Sequence, residues 1–256
     1  MVYEKELKTA VAAARAAGKI IRIGFGKKHA IEMKEKKEIA TEVDKKSEIV
    51  IKKLLSKFDY SFLGEETGLQ DKKTELEWIV DPLDGTTNFS ICNPFFNVSI
   101  GLVKGGKPVM GVVYNPIIDE LFTAVKGKGA FLNGKRIFAT KKEDFGMAIL
   151  GFCTKIYNPE AAKLHTVFMD IKDLRKMGSA ALELCYVAAG RLDGFVSFYA
   201  KPWDIAAGIL IAEEAGTKIT DFKGKSIDVN TKTLVAAPQQ MHRKILERVS
   251  NIEGTK

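Results

Sequence analysis

The chain has 256 residues, 46% of them hydrophobic and 28% charged, with a formal net charge of +8. That length supports one large domain or two small ones packed together, and no apolar run reaches the roughly 18 residues of a membrane span. The positive charge is spread as Lys interleaved with Glu, as in KKSEIVIKK and MKEKKE, which describes solvated helix faces rather than a nucleic-acid footprint.

The N-terminal MVYEKELKTA is charged from residue 4, unlike a secretory signal. Cys92, Cys153 and Cys185 are few, odd in number and widely spaced. They suit buried thiols in a reducing compartment, so the cytoplasm is expected and no disulfide is. Residues 3–24 carry Leu7, Val11, Ala14, Ile20 and Ile21 at helical spacing and end at Gly24 and Gly26. This predicts a long helix stopped by glycine.

A polar, Lys-rich stretch follows from Lys27 to Lys37. It is expected to be mobile, ordering with ligand, with Lys34 or Lys36 near it. A second helix is predicted from Thr41, with Asp44 at the capping-box position and Ile49, Ile51, Leu54 and Leu55 facing inward. FDYSFLG reads as a strand running into Glu65-Glu66, and WIVD as another, stopped by Pro82. NVSIGLV, PVMGVVY and ELFTAV then form an antiparallel meander, and Asn133-Gly134 signals a hairpin.

Beyond about residue 140 strands and helices alternate. AILGF and GFVSFY read as strands, 178–190 and 204–215 as helices, and Thr233–Ala237 as a strand before a final helix. Two halves, 1–140 and 141–256, are expected to share one body.

The chemistry centres on WIVDPLDGTTNF, Trp78 to Phe89. From Thr74 to Val103 the chain holds the acids Glu75, Glu77, Asp81 and Asp84 but no Lys, Arg or His. Pro82 fixes its own φ and pushes Asp81 into extended backbone. A turn after it would bring two carboxylates and the Leu83 carbonyl to one side. Gly85 lets the backbone approach a ligand, and the next segment can start a helix whose free N–H groups suit phosphate. Oxygen donors without a basic partner suit a hard cation such as Mg²⁺. The alternative is that both acids merely cap and turn the chain. The D-x-D-G-T pattern of haloacid dehalogenase-type phosphatases is discounted, because the spacing here is one residue too long for both side chains to keep those roles. His29, His165 and His242 lie far apart, which argues against a His-based triad.

VDPLDGTTNF, together with Gly64-Glu65-Glu66 and Trp203-Asp204-Ile205-Ala206-Ala207-Gly208 in the same order and spacing, resembles the inositol monophosphatase family of Mg²⁺-dependent, Li⁺-sensitive phosphatases. The resemblance covers nearly the whole chain. It implies an α+β fold, the five-layered α/β/α/β/α sandwich of the sugar phosphatases, and a homodimer; neither a membrane nor a nucleic acid is an expected partner. It implies Glu65, Asp81 and the Leu83 carbonyl as ligands of a first Mg²⁺, and Asp81, Asp84 and Asp204 of a second, with two or three ions in all. Thr86 with Glu65 would position and deprotonate the water, Asp44 would support them, and the Gly85 and Thr86 amides would grip the phosphate.

Alternative readings are an exposed loop acid for Glu65, a helix N-cap for Asp204 and a capping-box acid alone for Asp44. Gly178, Ser179 and Ala180 match a substrate-side helix start. Inositol-specific relatives carry Glu seven residues before the Asp of the W-D motif, where this chain has Ser197. The expected substrate is a small sugar or polyol phosphate, inositol 1-phosphate first and fructose 1,6-bisphosphate second. Lys201 and Arg175 are candidates for a second phosphate. A role beside transcription machinery or RNA is the alternative of another class.

Overall fold

The computed structural model describes residues 2–29, 31–33, 39–154, 159–198, 200–250 and 252. Helix α1, Glu4–Gly24, lays Ala10, Ala13, Ala14 and Ala17 inward. It packs on α2, Glu42–Leu55. Alanine on the shared face lets the two axes approach closely, so both reach the same sheet. Between them Ile31–Met33 (β1) pairs antiparallel with Ile39–Thr41 (β2). Part of the Lys-rich stretch is therefore strand, while Lys34 and Lys36 lie outside the described residues.

α2 begins as expected but is rotated from the expected orientation. Ile51 and Leu55 are buried, whereas Ile49 and Leu54 are 63% and 37% exposed. The inward stripe is instead Asp44, Ser47, Glu48, Ile51 and Leu55. Polar residues occupy a face that counting apolar positions assigns elsewhere.

The first sheet contains Ser61–Gly64 (β3), Gly68–Gln70 (β4), Leu76–Asp84 (β5), Asn97–Lys104 (β6), Lys107–Asn115 (β7), Glu120–Val125 (β8), Ala130–Leu132 (β9) and Lys135–Ile137 (β10). Its order is β10-β9-β8-β7-β6-β5-β3-β4, antiparallel throughout except for the parallel β3–β5 pair. The β9–β10 hairpin turns at Asn133 (φ 48°) and Gly134 (φ 77°), the two positive dihedrals of a type I′ turn. A five-residue helix α3, Thr86–Ser90, follows β5.

The second sheet contains Ile149–Cys153 (β11), Asp173–Arg175 (β12), Gly194–Phe198 (β13), Lys218–Thr220 (β14) and Thr233–Ala237 (β15), ordered β12-β11-β13-β15-β14. β11 runs parallel to β12 and β13, whereas β15 is antiparallel to both its neighbours. Ala180–Ala188 (α5) and Pro202–Glu214 (α6) lie between the sheets, and Pro159–Val167 (α4) and Gln239–Val249 (α7) cover the outer face. The layers are α1/α2, first sheet, α5/α6, second sheet and α4/α7, the expected five-layered sandwich. Among the described residues no helix is long and apolar enough to cross a membrane.

The middle layer lies close against the first sheet. Gly101 and Gly111 face each other across β6 and β7. A Cβ on Gly101 would stand 2.9 Å from Ala206 Cβ, and one on Gly111 2.6 Å from the Ala207 carbonyl oxygen. Two missing side chains make the groove in which α6 lies, and α6 carries Asp204.

Candidate active site

The acids of WIVDPLDGTTNF owe their placement to an irregularity in β5. The strand does not stop at Pro82 but runs through to Asp84. Asp81 pairs with Ser99 and Asp84 with Asn97, so three steps on β5 match two on β6. In a regular strand residues three apart point to opposite faces. One extra residue reverses that parity, and bulges of this kind re-aim side chains beside functional sites. Asp81 and Asp84 therefore share a face. The expected turn after a terminated strand is replaced by a bulge within a continuous one, and Pro82, which has no N–H to lose from the ladder, sits inside it.

Each aspartate is held by one of its oxygens. Asp81 Oδ1 accepts the Leu83 N–H at 3.0 Å. Asp84 Oδ2 accepts from Asn97 Nδ2 at 2.9 Å, Ser179 Oγ at 2.6 Å and the Ala181 N–H at 3.0 Å. Asp204 is not an N-cap. It is the third residue of α6, and its Oδ2 reaches back to the Lys201 N–H at 3.0 Å. The opposite oxygen of each aspartate takes none of these bonds, so the carboxylates are oriented without being saturated.

Their electrostatics are unfavourable without a cation. Burial first, then Glu65, Asp84 and Asp204, push the Asp81 carboxyl well above the ordinary carboxylate range. Burial raises Asp84 to about 6, against the pull of its three donors, and raises Asp204 to about 8 with Asp84 adding to it. The Lys201 charge lowers Asp204 but ranks behind burial and the Asp84 and Glu65 charges, and its ammonium sits over the Trp203 ring, 5.3 Å from the centroid. Buried carboxylates that repel one another, with oxygen donors and hardly any basic relief, fit a hard divalent ion in chemistry. As the side chains stand, no three Asp, Glu, His or Cys groups among the described residues gather closely enough to hold one.

Asp44 does both jobs considered for it. Its Oδ2 accepts from the Thr41 N–H at 2.8 Å and the Thr41 hydroxyl at 2.6 Å, completing the capping box of α2. Its Oδ1 lies 3.0 Å from Thr86 Oγ1. Burial raises Asp44 to about 6 despite these donors, so it remains a carboxylate at neutral pH. Thr86 Oγ1 is also 3.0 Å from the Leu83 carbonyl, so one hydroxyl joins the α2 cap to the bulge.

Gly85 has φ 96°, and a Cβ there would stand 3.1 Å from the Phe95 carbonyl and 3.3 Å from that of Gly178. The substrate-side start at 178–180 is thereby pressed against the acidic motif. Ser179 is spent in that union: its hydroxyl donates to Asp84 and accepts from Asn97 Nδ2 at 2.8 Å and from the Leu182 N–H at 3.3 Å. Any contact to a ligand from this segment falls to its backbone. Ser197, on β13, is fully buried and its hydroxyl has no partner. Arg175 pairs with Asp173 at 2.5 Å.

Sequence reasoning missed the asparagines. Asn97 stands opposite Asp84 in the ladder, and Asn88 Nδ2 donates to the carbonyls of Phe95 (2.7 Å) and Met177 (2.8 Å). A signal was present for Asn97, which interrupts the apolar run of Phe95, Phe96 and Val98 beside the acids.

The chain is 43% identical over 247 residues to inositol monophosphatase 2 of Solanum lycopersicum, covering 91% of this chain and 93% of that one. It is 40% identical over 253 residues to a fructose-1,6-bisphosphatase/inositol-1-monophosphatase of Aquifex aeolicus, covering 95% of each. Among solved structures, the extragenic suppressor protein suhB of Bartonella henselae matches with a TM-score of 0.92 and 35% identity, over 97% of this chain and 99% of that one. Fold, site and relatives together define a hydrolase of the phosphatase class. Residues 3–253 match the model of the inositol monophosphatase family, and the chain belongs to that family, whose members are generally metal-dependent.

Proposed function

We propose that the chain is a Mg²⁺-dependent phosphomonoesterase of small polyol or sugar phosphates, with inositol 1-phosphate as first substrate and fructose 1,6-bisphosphate as second. The observation that carries this reading is the bulge in β5, which turns Asp81 and Asp84 to one face of a site otherwise lined with acids. Glu65, Asp81 and the Leu83 carbonyl would hold one ion, and Asp81, Asp84 and Asp204 another. Two such ions supply Lewis-acid stabilisation of the attacking and leaving oxygens of a phosphoryl transfer.

The remaining tasks belong to the chain. Thr86, oriented by Asp44 and the Leu83 carbonyl, holds the attacking water, and Glu65 takes its proton. The Gly85 and Thr86 amides bind the phosphate oxygens. Both sheets are needed, because residues 1–140 supply Glu65, Asp81 and Asp84 while 141–256 supply Asp204 and the 178–180 segment.

Specificity rests on Ser197. A site built to hydrogen-bond a particular hydroxyl rejects substrates that leave a buried polar group unpaired. Serine is uncharged and shorter than glutamate, and here its hydroxyl is fully buried, so this position offers substrate hydroxyls none of the acceptor that a glutamate would. Phosphate release in Mg²⁺ should therefore show inositol 1-phosphate and at least one other sugar or polyol phosphate turned over with kcat/KM values within about a hundredfold, a gap of about 2.7 kcal/mol. Ser197→Glu should shift the ratio toward inositol phosphate. No phosphate release from any of the panel would refute the phosphatase reading, and a wild type already more than about a thousandfold selective would refute the role of Ser197.

A further inference from the structure

The turn that carries Glu65 is fixed by a residue outside every motif named above. Helix α2 presents Asp44 and Glu48 four residues apart, on one face. Both are buried, at 1% and 0% exposure. Glu48 reaches under the turn between β3 and β4. Its Oε2 accepts the Glu66 N–H at 2.9 Å and its Oε1 the Thr67 N–H at 2.8 Å.

The Glu65 N–H meanwhile donates to the Val80 carbonyl at 3.1 Å, immediately before Asp81. Glu65 is therefore gripped on both sides, its own amide by β5 and the next two by a charged acceptor. Hydrogen bonds to an ionised acceptor are roughly twice as strong as neutral ones. Gly64 makes room for the arrangement, since a Cβ there would stand 2.6 Å from Glu48 Cδ and Oε2.

We propose that Glu48 is a positioning residue of the acidic site, setting the turn that presents Glu65 toward Asp81 without itself touching ion or substrate. The inference rests on the assignment of Glu65 as a ligand. A glutamine at position 48 keeps the shape but offers an NH₂ where one of the two amides needs an acceptor, so one bond is lost. Removing a partner of this kind costs about 10- to 100-fold in metal affinity.

The test is calorimetric titration of the full chain with Mg²⁺ in the absence of substrate, alongside thermal melting. Glu48→Gln should melt cooperatively yet need about 10- to 100-fold more Mg²⁺ for half-saturation. Gly64→Ala, which displaces the same carboxylate without changing its chemistry, should do likewise and decides the matter if Glu48→Gln does not fold. A Glu48→Gln protein that melts lower but binds Mg²⁺ as the wild type does would show only a brace for the turn and overturn the proposal. Glu65→Gln separates the two levels. Wild-type Mg²⁺ affinity in that variant removes the ligand assignment and this inference with it. Weakened affinity there, with Glu48→Gln and Gly64→Ala unaffected, removes this inference alone.

Discussion

At the scale of single residues, Asp81 is held in a setting that opposes its charge from every side the neighbouring acids occupy. It is 2% exposed, anchored through one oxygen and surrounded by Glu65, Asp84 and Asp204, whose charges all oppose its ionisation. Asp81→Asn keeps the volume and removes one charge from a mutually repelling set. The variant protein should melt slightly higher than the wild type in the absence of metal, because like charges no longer repel. Its turnover should fall by more than the roughly 100-fold typical of losing an outer-shell partner, with Mg²⁺ affinity reduced. Phosphate release and melting with and without Mg²⁺ check both halves, and near-normal turnover would remove Asp81 from the ligand set. Opposite signs for apo stability and activity are the mark of a residue kept for function rather than for the fold.

At the scale of elements, α7 docks on the second sheet through a buried histidine. His242 Nε2 lies 3.0 Å from Thr220 Oγ1, and that hydroxyl donates its own proton to the Asp221 carbonyl at 2.8 Å. Nε2 must therefore carry the hydrogen. Burial, with the nearby Lys218 charge adding to it, lowers its pKa to about 4 from 6.5. A folded pKa below the unfolded one means that the unfolded chain binds the proton first. The contribution is complete above pH 6.5 and is lost as pH falls toward 4, amounting to about 3 kcal/mol. Subtracting the stability of His242→Gln from that of the wild type at each pH cancels the other groups. The difference should shrink by that amount across the window in chemical denaturation, and a difference independent of pH would contradict the burial argument.

Elements were legible wherever one physical cause dominates. Periodic alanine and aliphatic residues mark α1, and Asn133-Gly134 marks its hairpin because few other pairs adopt two positive φ angles. β12 and β14 were missed: they are three residues long and exist only through pairing with β11 and β15. α2 was found but turned the wrong way, because Asp44 and Glu48 take inward positions that hydrophobic counting assigns to Ile49 and Leu54. Local hydrophobicity cannot foresee a face buried for its acids.

At the scale of the whole molecule, the site depends on α6 lying deep in the groove made by Gly101 and Gly111. Gly111→Val would drive a side chain into the Ala207 carbonyl, which an added Cβ alone would meet at 2.6 Å. Overpacking of this kind costs about 1–3 kcal/mol. Relief by lifting α6 would carry Asp204 away from Asp84, so kcat/KM should fall beyond what the lower melting temperature explains. Activity assayed well below the melting transition tests this, and wild-type turnover there would mean that the helix does not move. The acids themselves could be read from the chain, but not which residues hold them. Asn97, Ser179 and Ala181 lie 13, 95 and 97 residues from Asp84, and only the stacking of the layers brings them together.

The bulge in β5 has a consequence for heredity. A strand alternates in twos, so an in-frame loss of one codon between Asp81 and Asp84 would restore regular pairing with β6 and look harmless to the sheet. It would leave Asp84 opposite Asn97 and on the face of Asp81, but it would remove the extra residue whose looped backbone brings the Leu83 carbonyl to the Thr86 hydroxyl. An exposed hairpin can gain a residue without touching the site, but in this span the count of codons is fixed by the carbonyl that the extra residue turns inward. The flaw in the pleat is what selection has to preserve.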